Sequence, residues 1–140
     1  MDLGNGEIRD IASGLQGSHT LEMMQDAMVV VITNLKPRNL GGWKSAGMVL
    51  CAQTADGASV EFLSPPEGSW PGDLISFEGY DRKPLEMLPA KKNPWDLVAP
   101  RLVVDGKKLG CYKDASDKCI PFKTDKGVCT AKTITNGIIK

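Results

Sequence analysis

Residues 34–52 read NLKPRNLGGWKSAGMVLCA, and an apolar run, MVVVI at 28–32, stands just before them. A second apolar run, Met48 to Ala52, closes the stretch. Apolar runs of about five residues bounded by Gly and Pro read as strands. Between them lie Pro37, Gly41 and Gly42, three basic residues (Lys36, Arg38, Lys44) and one large aromatic, Trp43. The expectation is strand, exposed basic loop, strand, with the loop as the first candidate for a binding function.

Short strands continue outward. After an Asp56-Gly57 turn, Ser59 to Leu63 alternates as a strand, and Leu74 to Phe77 supplies another beyond a rigid connection holding three prolines. Upstream, Glu7 to Ala12 reads as an edge element among glycines. Ser18 to Asp26 reads as a short helix capped by Ser18 or Thr20, with Leu21, Met24 and Met28 filling core. Composition shifts near Gly79. Asn93-Pro94-Trp95-Asp96 starts a brief helix that Pro100 stops. Arg101 to Val104 and Leu109 to Tyr112 form a hairpin about Asp105-Gly106, and Ile120 to Phe122 and Gly127 to Ala131 are further strands. This is an all-β pattern, typical of small barrels and sandwiches.

A chain of 140 residues suits one domain, or a small domain with an appendage, and 41% hydrophobic residues can build a core. The longest apolar run is far short of the roughly 20 residues a membrane helix needs. The first residues, MDLGNGE, have neither the basic region nor the apolar core of a signal peptide, so a cytoplasmic or nuclear setting is the default. Seventeen basic and 17 acidic residues balance, but residues 1–80 carry 4 and 10 of them and residues 81–140 carry 13 and 7. Such asymmetry either sets up a one-sided field or is mixed by folding.

Catalysis is mostly excluded. No Gly-rich phosphate or dinucleotide loop is present, and no carboxylates cluster as an acid/base pair. The cysteines at 51, 111, 119 and 129 lack zinc-ligand spacing, so no metal is expected; Cys51 reads as a buried small hydrophobe and the others as free thiols. His19, the single histidine, reads as a plain surface residue. Binding fits better. Lys36, Arg38 and Lys44 suit phosphate contacts, as do the pairs Arg82-Lys83 and Lys91-Lys92, unless they are merely solvated. Trp43 either stacks on a base or packs within the loop.

Several motifs then fall in order. They are Ser13-Gly14-Leu15, Met28-Val-Val-Val, Asn34-Leu-Lys-Pro37, Ser45 to Ala52, Pro65-Pro-Glu-Gly68, Pro71-Gly-Asp73, Pro89 to Trp95, Pro121-Phe122, Gly127-Val-Cys129 and Asn136 to Lys140. Together they span almost the whole chain. The chain closely resembles the C-terminal tRNA-binding domain of the endothelial-monocyte-activating-polypeptide type, found in synthetase-associated proteins and fused to some tyrosyl- and methionyl-tRNA synthetases.

The resemblance implies an OB-fold barrel over residues 1–79 with a small C-terminal β-rich extension, 80–140, packed on it. It implies tRNA as ligand, no cofactor, a cytoplasmic non-catalytic role in aminoacylation, and a synthetase fused or bound as partner. The alternative is a protein-interaction scaffold or cytokine-like fragment of the multi-synthetase machinery. Three departures stand out. The family pattern begins two strands earlier; the extension, which takes the place of the dimer partner of bacterial relatives, implies a monomeric domain unless another chain supplies those strands. Where the family reads Lys-Pro-x-Lys-Met-Arg-Gly, this chain has Asn39 for the second Lys and Gly41 for the Arg. The family is usually basic and this chain is neutral, which predicts weaker binding with a shallower salt slope.

Overall fold

The computed structural model describes residues 1–140. The first apolar run becomes strand β1 (Val30–Ile32). The expected loop is itself a hairpin, β2 (Arg38–Leu40) and β3 (Trp43–Ser45), turning at Gly41 and Gly42. Their φ values of 56° and 85° are left-handed, which glycine adopts without a Cβ clash and which a two-residue hairpin turn requires. The second run becomes β4 (Met48–Gln53), on which Leu50, Cys51 and Ala52 are buried in succession. That pattern belongs to a strand covered on both faces.

The chain continues through β5 (Val60–Phe62), β6 (Leu102–Val104), β7 (Gly110–Lys113), β8 (Cys119–Pro121), β9 (Lys123–Thr124), β10 (Gly127–Val128) and β11 (Ile138–Ile139). β4 pairs with β1 (Val30 opposite Leu50), with β5 (Cys51 opposite Phe62) and with β11 (Ile139 opposite Ala52). β11 also meets β6, which leads through β7 to β8. The result is an open, curled half-barrel of antiparallel strands with a small additional β-rich region at β9–β10, and β1 at one end of the strand order. No helix is long and apolar enough to cross a membrane.

One core serves the whole sheet: Val30, Leu50 and Leu63 from the first half pack with Leu102, Val104, Phe122 and Ile139 from the second. Each fully buried side chain of this kind contributes about 1.5–3 kcal/mol. Gly110 has no side chain because Leu63 occupies the space: a Cβ there would lie 2.7 Å from Leu63 Cδ1. The C-terminal tail is held by Glu61 on β5. Its carboxylate accepts from the Thr133 amide (2.8 Å), the Thr133 hydroxyl (2.9 Å) and the Ile134 amide (3.0 Å).

Several expectations change. The helix exists as α1 (Leu21–Met24), capped by Thr20, whose hydroxyl accepts from the Met23 amide. It is a single turn, too short to present a continuous apolar face, and Leu21, Met24 and Met28 are exposed rather than core. His19 is buried, not a surface residue: its ring lies 4.4 Å from that of Phe62 and its Nδ1 2.8 Å from the Ser18 hydroxyl. The segments at Glu7 to Ala12 and Leu74 to Phe77 make only the isolated bridges Asp2–Ile8 and Ser76–Lys123. α2 (Trp95–Val98) starts as expected, with Asn93 Oδ1 accepting from the Trp95 amide, but Pro100 lies inside a following 3-10 turn. Asp105 does not make a two-residue turn; its Oδ1 accepts from the Lys107 and Leu109 amides and organises a five-residue loop between Val104 and Gly110.

Candidate nucleic-acid interface

In the β2–β3 hairpin Arg38 lies opposite Ser45, Asn39 opposite Lys44 and Leu40 opposite Trp43. Opposed residues share a face and successive residues alternate, so Arg38, Leu40, Trp43 and Ser45 lie on one face and Asn39 and Lys44 on the other. The root of the hairpin is fixed at Ser45, which is buried; its hydroxyl accepts from the Ala12 amide (3.0 Å) and donates to the Gly47 carbonyl (3.0 Å). Arg9 ties the two ends together, its Nη1 donating to the carbonyls of Thr33 (2.5 Å) and Ala46 (3.1 Å). Its charge is already met by Glu7 at 2.6 Å, so Arg9 is a brace. Its signal was hidden, because both acceptors are more than twenty residues away.

Asn34, just before the basic loop, makes a second long-range tie. Its Nδ2 donates to the Leu85 carbonyl (2.9 Å) and its own carbonyl accepts from the Leu88 amide (2.7 Å). The segment carrying Arg82, Lys83, Lys91 and Lys92 is thereby tied, at Leu85 and Leu88, to Asn34, from which the chain runs on into Lys36, Arg38 and Lys44. All seven basic residues are exposed. Lys83 faces Asp81 at 3.8 Å; the other six take part in none of the molecule's four ion pairs. Arg82 and Lys83 line a groove of about 780 Å³ that runs beside β1 and is also walled by Trp70 and Leu74 but by no residue of the hairpin.

Trp43 does not pack in the loop. It is 74% exposed and belongs to none of the four aromatic pairs. Trp70 is also exposed, but it sits at an acidic turn where its amide donates to Asp73. Trp95 is half-buried against the core.

The remaining reactive groups are quiet. Burial pushes the Cys51 and Cys129 thiols up to about 11. Burial, followed by Asp105 and Cys119, pushes Cys111 up to about 12. These are protonated thiols at neutral pH, not nucleophiles. All four cysteines are free, and no group of three or more His, Cys, Asp or Glu side chains is placed to hold a metal. What the surface offers is cations and an aromatic ring.

The family model described as "Putative tRNA binding domain" matches residues 1–74. The chain is 39% identical over its full length to the cytoplasmic methionine–tRNA ligase of Arabidopsis thaliana, of which it spans 17%. It is 40% identical to the mouse aminoacyl tRNA synthase complex-interacting multifunctional protein 1, again over its full length, and spans 43% of that protein. The chain thus covers less than half of these relatives. The crystal structure of the C-terminal domain of Plasmodium vivax p43 superposes with a TM-score of 0.86 at 34% identity, covering 99% of this chain and 81% of that one. By the family model, and by sequence and fold along its length, this chain belongs to the tRNA-binding-domain family.

Proposed function

We propose that this chain is a non-catalytic tRNA-binding module of the cytoplasmic aminoacylation machinery, acting on tRNA for a synthetase to which it is fused or bound. Tethering raises the local tRNA concentration for the catalytic domain, so the module assists without chemistry of its own. Residues 1–79 supply the hairpin surface, and 80–140 form an extension that contributes further cations. Lys36, Arg38, Lys44, Lys91 and Lys92 are the main phosphate contacts, with Arg82 and Lys83 secondary. The observation that supports this reading is the Asn34 tie, which joins the segment bearing one group of exposed cations to the stretch that leads into the other, on a chain of zero net charge. Filter binding with unfractionated tRNA at two salt concentrations tests it. Binding at low salt that weakens as salt rises is expected, since each phosphate contact releases counterions. No binding at low salt, or binding indifferent to salt, rejects it.

A scaffold reading has one observation in its favour. Met28, Trp70, Leu74 and Leu85 are exposed around the groove beside β1 and would suit an apolar protein partner. Native size with added synthetase, compared with added tRNA, separates the two.

A further inference from the structure

We propose that Trp43 is a stacking platform for one unpaired nucleotide, and that through it the module prefers RNA presenting an exposed base beside a helical backbone over uninterrupted duplex. This rests on the tRNA-binding reading and sharpens it: the lysines recognise charge, which any RNA supplies, whereas the indole needs a free base face. The hairpin register sets the geometry. Trp43 lies opposite Leu40, and Arg38 is two residues from Leu40 on the same strand, so the indole and the guanidinium are diagonal neighbours on one face. Diagonal neighbours have Cα atoms roughly 7–8 Å apart, within reach of long side chains. A base lying on the ring thus leaves its own or the next phosphate near Arg38, whereas Lys44, on the opposite face, is no part of this contact.

The ring is also free to take a ligand. At 74% exposure, with no aromatic partner, it stands at the tip of a two-glycine turn. The hairpin is a separate two-stranded sheet whose root is fixed by Ser45 and Arg9. Presenting the indole to a base therefore requires no displacement of the core. Trp70 is about as exposed but lacks this setting: it lies on no strand and has no basic residue in register beside it, its amide instead donating to Asp73, which is paired with Lys126. A base-aromatic contact is tolerant of base identity, since every base has a π face, so the preference is for unpaired structure and not for sequence.

The experiment compares wild type, Trp43→Ala and Trp43→Phe, each checked for folding by circular dichroism, for binding to unfractionated tRNA and to a blunt RNA duplex without unpaired bases. Trp43→Ala should weaken tRNA binding roughly 5- to 150-fold, the range expected for one stacked base, with Trp43→Phe in between. Duplex binding should stay unchanged, and so should the salt slope on tRNA, because stacking releases no counterions. Equal affinity of wild type and Trp43→Ala for tRNA overturns the proposal, as does an equal loss on both RNAs. So does a Trp43→Ala variant that keeps tRNA binding but loses a synthetase complex, which would make the residue a protein anchor. Wild type that binds neither RNA overturns the tRNA-binding reading itself, a result distinct from the others.

Discussion

Asn34 and Leu88 are 54 positions apart in the chain, yet the Leu88 amide donates to the Asn34 carbonyl at 2.7 Å. The Asn34 side chain adds a bond to the Leu85 carbonyl at 2.9 Å, closing a clip between the root of the basic hairpin and the segment that leads to Lys91 and Lys92. Asn34→Ala removes the side-chain half of the clip, a bond of about 0.5–1.5 kcal/mol. Hydrogen exchange should quicken between residues 85 and 92 while β4 stays protected. tRNA affinity should fall about 2- to 10-fold, as the distal lysines lose their fixed position. Unchanged exchange in that segment would show that the clip does not order it.

Glu61 gives the fold a sensitivity to acid. Burial pushes its carboxyl up, but the Ile134 and Thr133 amides and the Thr133 hydroxyl donate to the ionised form and together hold it below the usual carboxylate value. A carboxyl depressed in the folded state stabilises above its unfolded value, near 4.5, and that contribution is lost as pH falls through the lower folded value. The tail from Thr133 to Ile139 should therefore loosen first on acidification, followed by hydrogen exchange across pH 6 to about 3. Glu61→Ala should destabilise the protein by about 1–2 kcal/mol at neutral pH and flatten this dependence. An equally steep acid transition in that variant would move the origin elsewhere. Asp73 is one alternative, since its carboxyl is also lowered, first by the hydrogen bond from Lys126 and then by the Trp70 amide.

Leu63 and Gly110 share one volume. Leu63→Ala empties a fully buried site and should cost about 2–5 kcal/mol in urea unfolding. Gly110→Ala drives a methyl to 2.7 Å from Leu63 Cδ1 and should cost about 1–3 kcal/mol. Combined, the two changes should cost less than their sum, because the smaller Leu63 side chain relieves the clash. Strict additivity would show that the sites do not couple.

How much was legible in the sequence follows from which interactions are local. β1 and β4 stand out as apolar runs and β5 by its alternation after a turn, and the Asn93 cap and the Thr20 cap are short-range chemistry. β11 is two isoleucines that become a strand only because Ala52, Gln53 and Val103 come to meet them. The hairpin reads as a loop because Arg38-Asn39-Leu40 and Trp43-Lys44-Ser45 do not alternate in polarity, and pairing comes instead from the Gly41-Gly42 turn. His19 and the methionines exchange places, one buried by Phe62 and the others exposed, because a one-turn helix has no face to enforce its pattern. The cations of the candidate surface could be identified from composition alone. The tie between Asn34 and the segment at Leu85 and Leu88 could not, because its partners lie more than fifty positions away in the chain.

The central claim, that exposed cations of the hairpin and the 81–92 segment together hold tRNA, is tested most directly by the slope of log affinity against log salt. Wild type is compared with Lys36→Ala, Lys91→Ala and the double variant in anisotropy titrations of labelled unfractionated tRNA. The account predicts that each single change lowers the slope by about 0.7–0.9 and that the double change lowers it by about twice as much. A wild-type slope near zero, or slopes unmoved by either substitution, would contradict it.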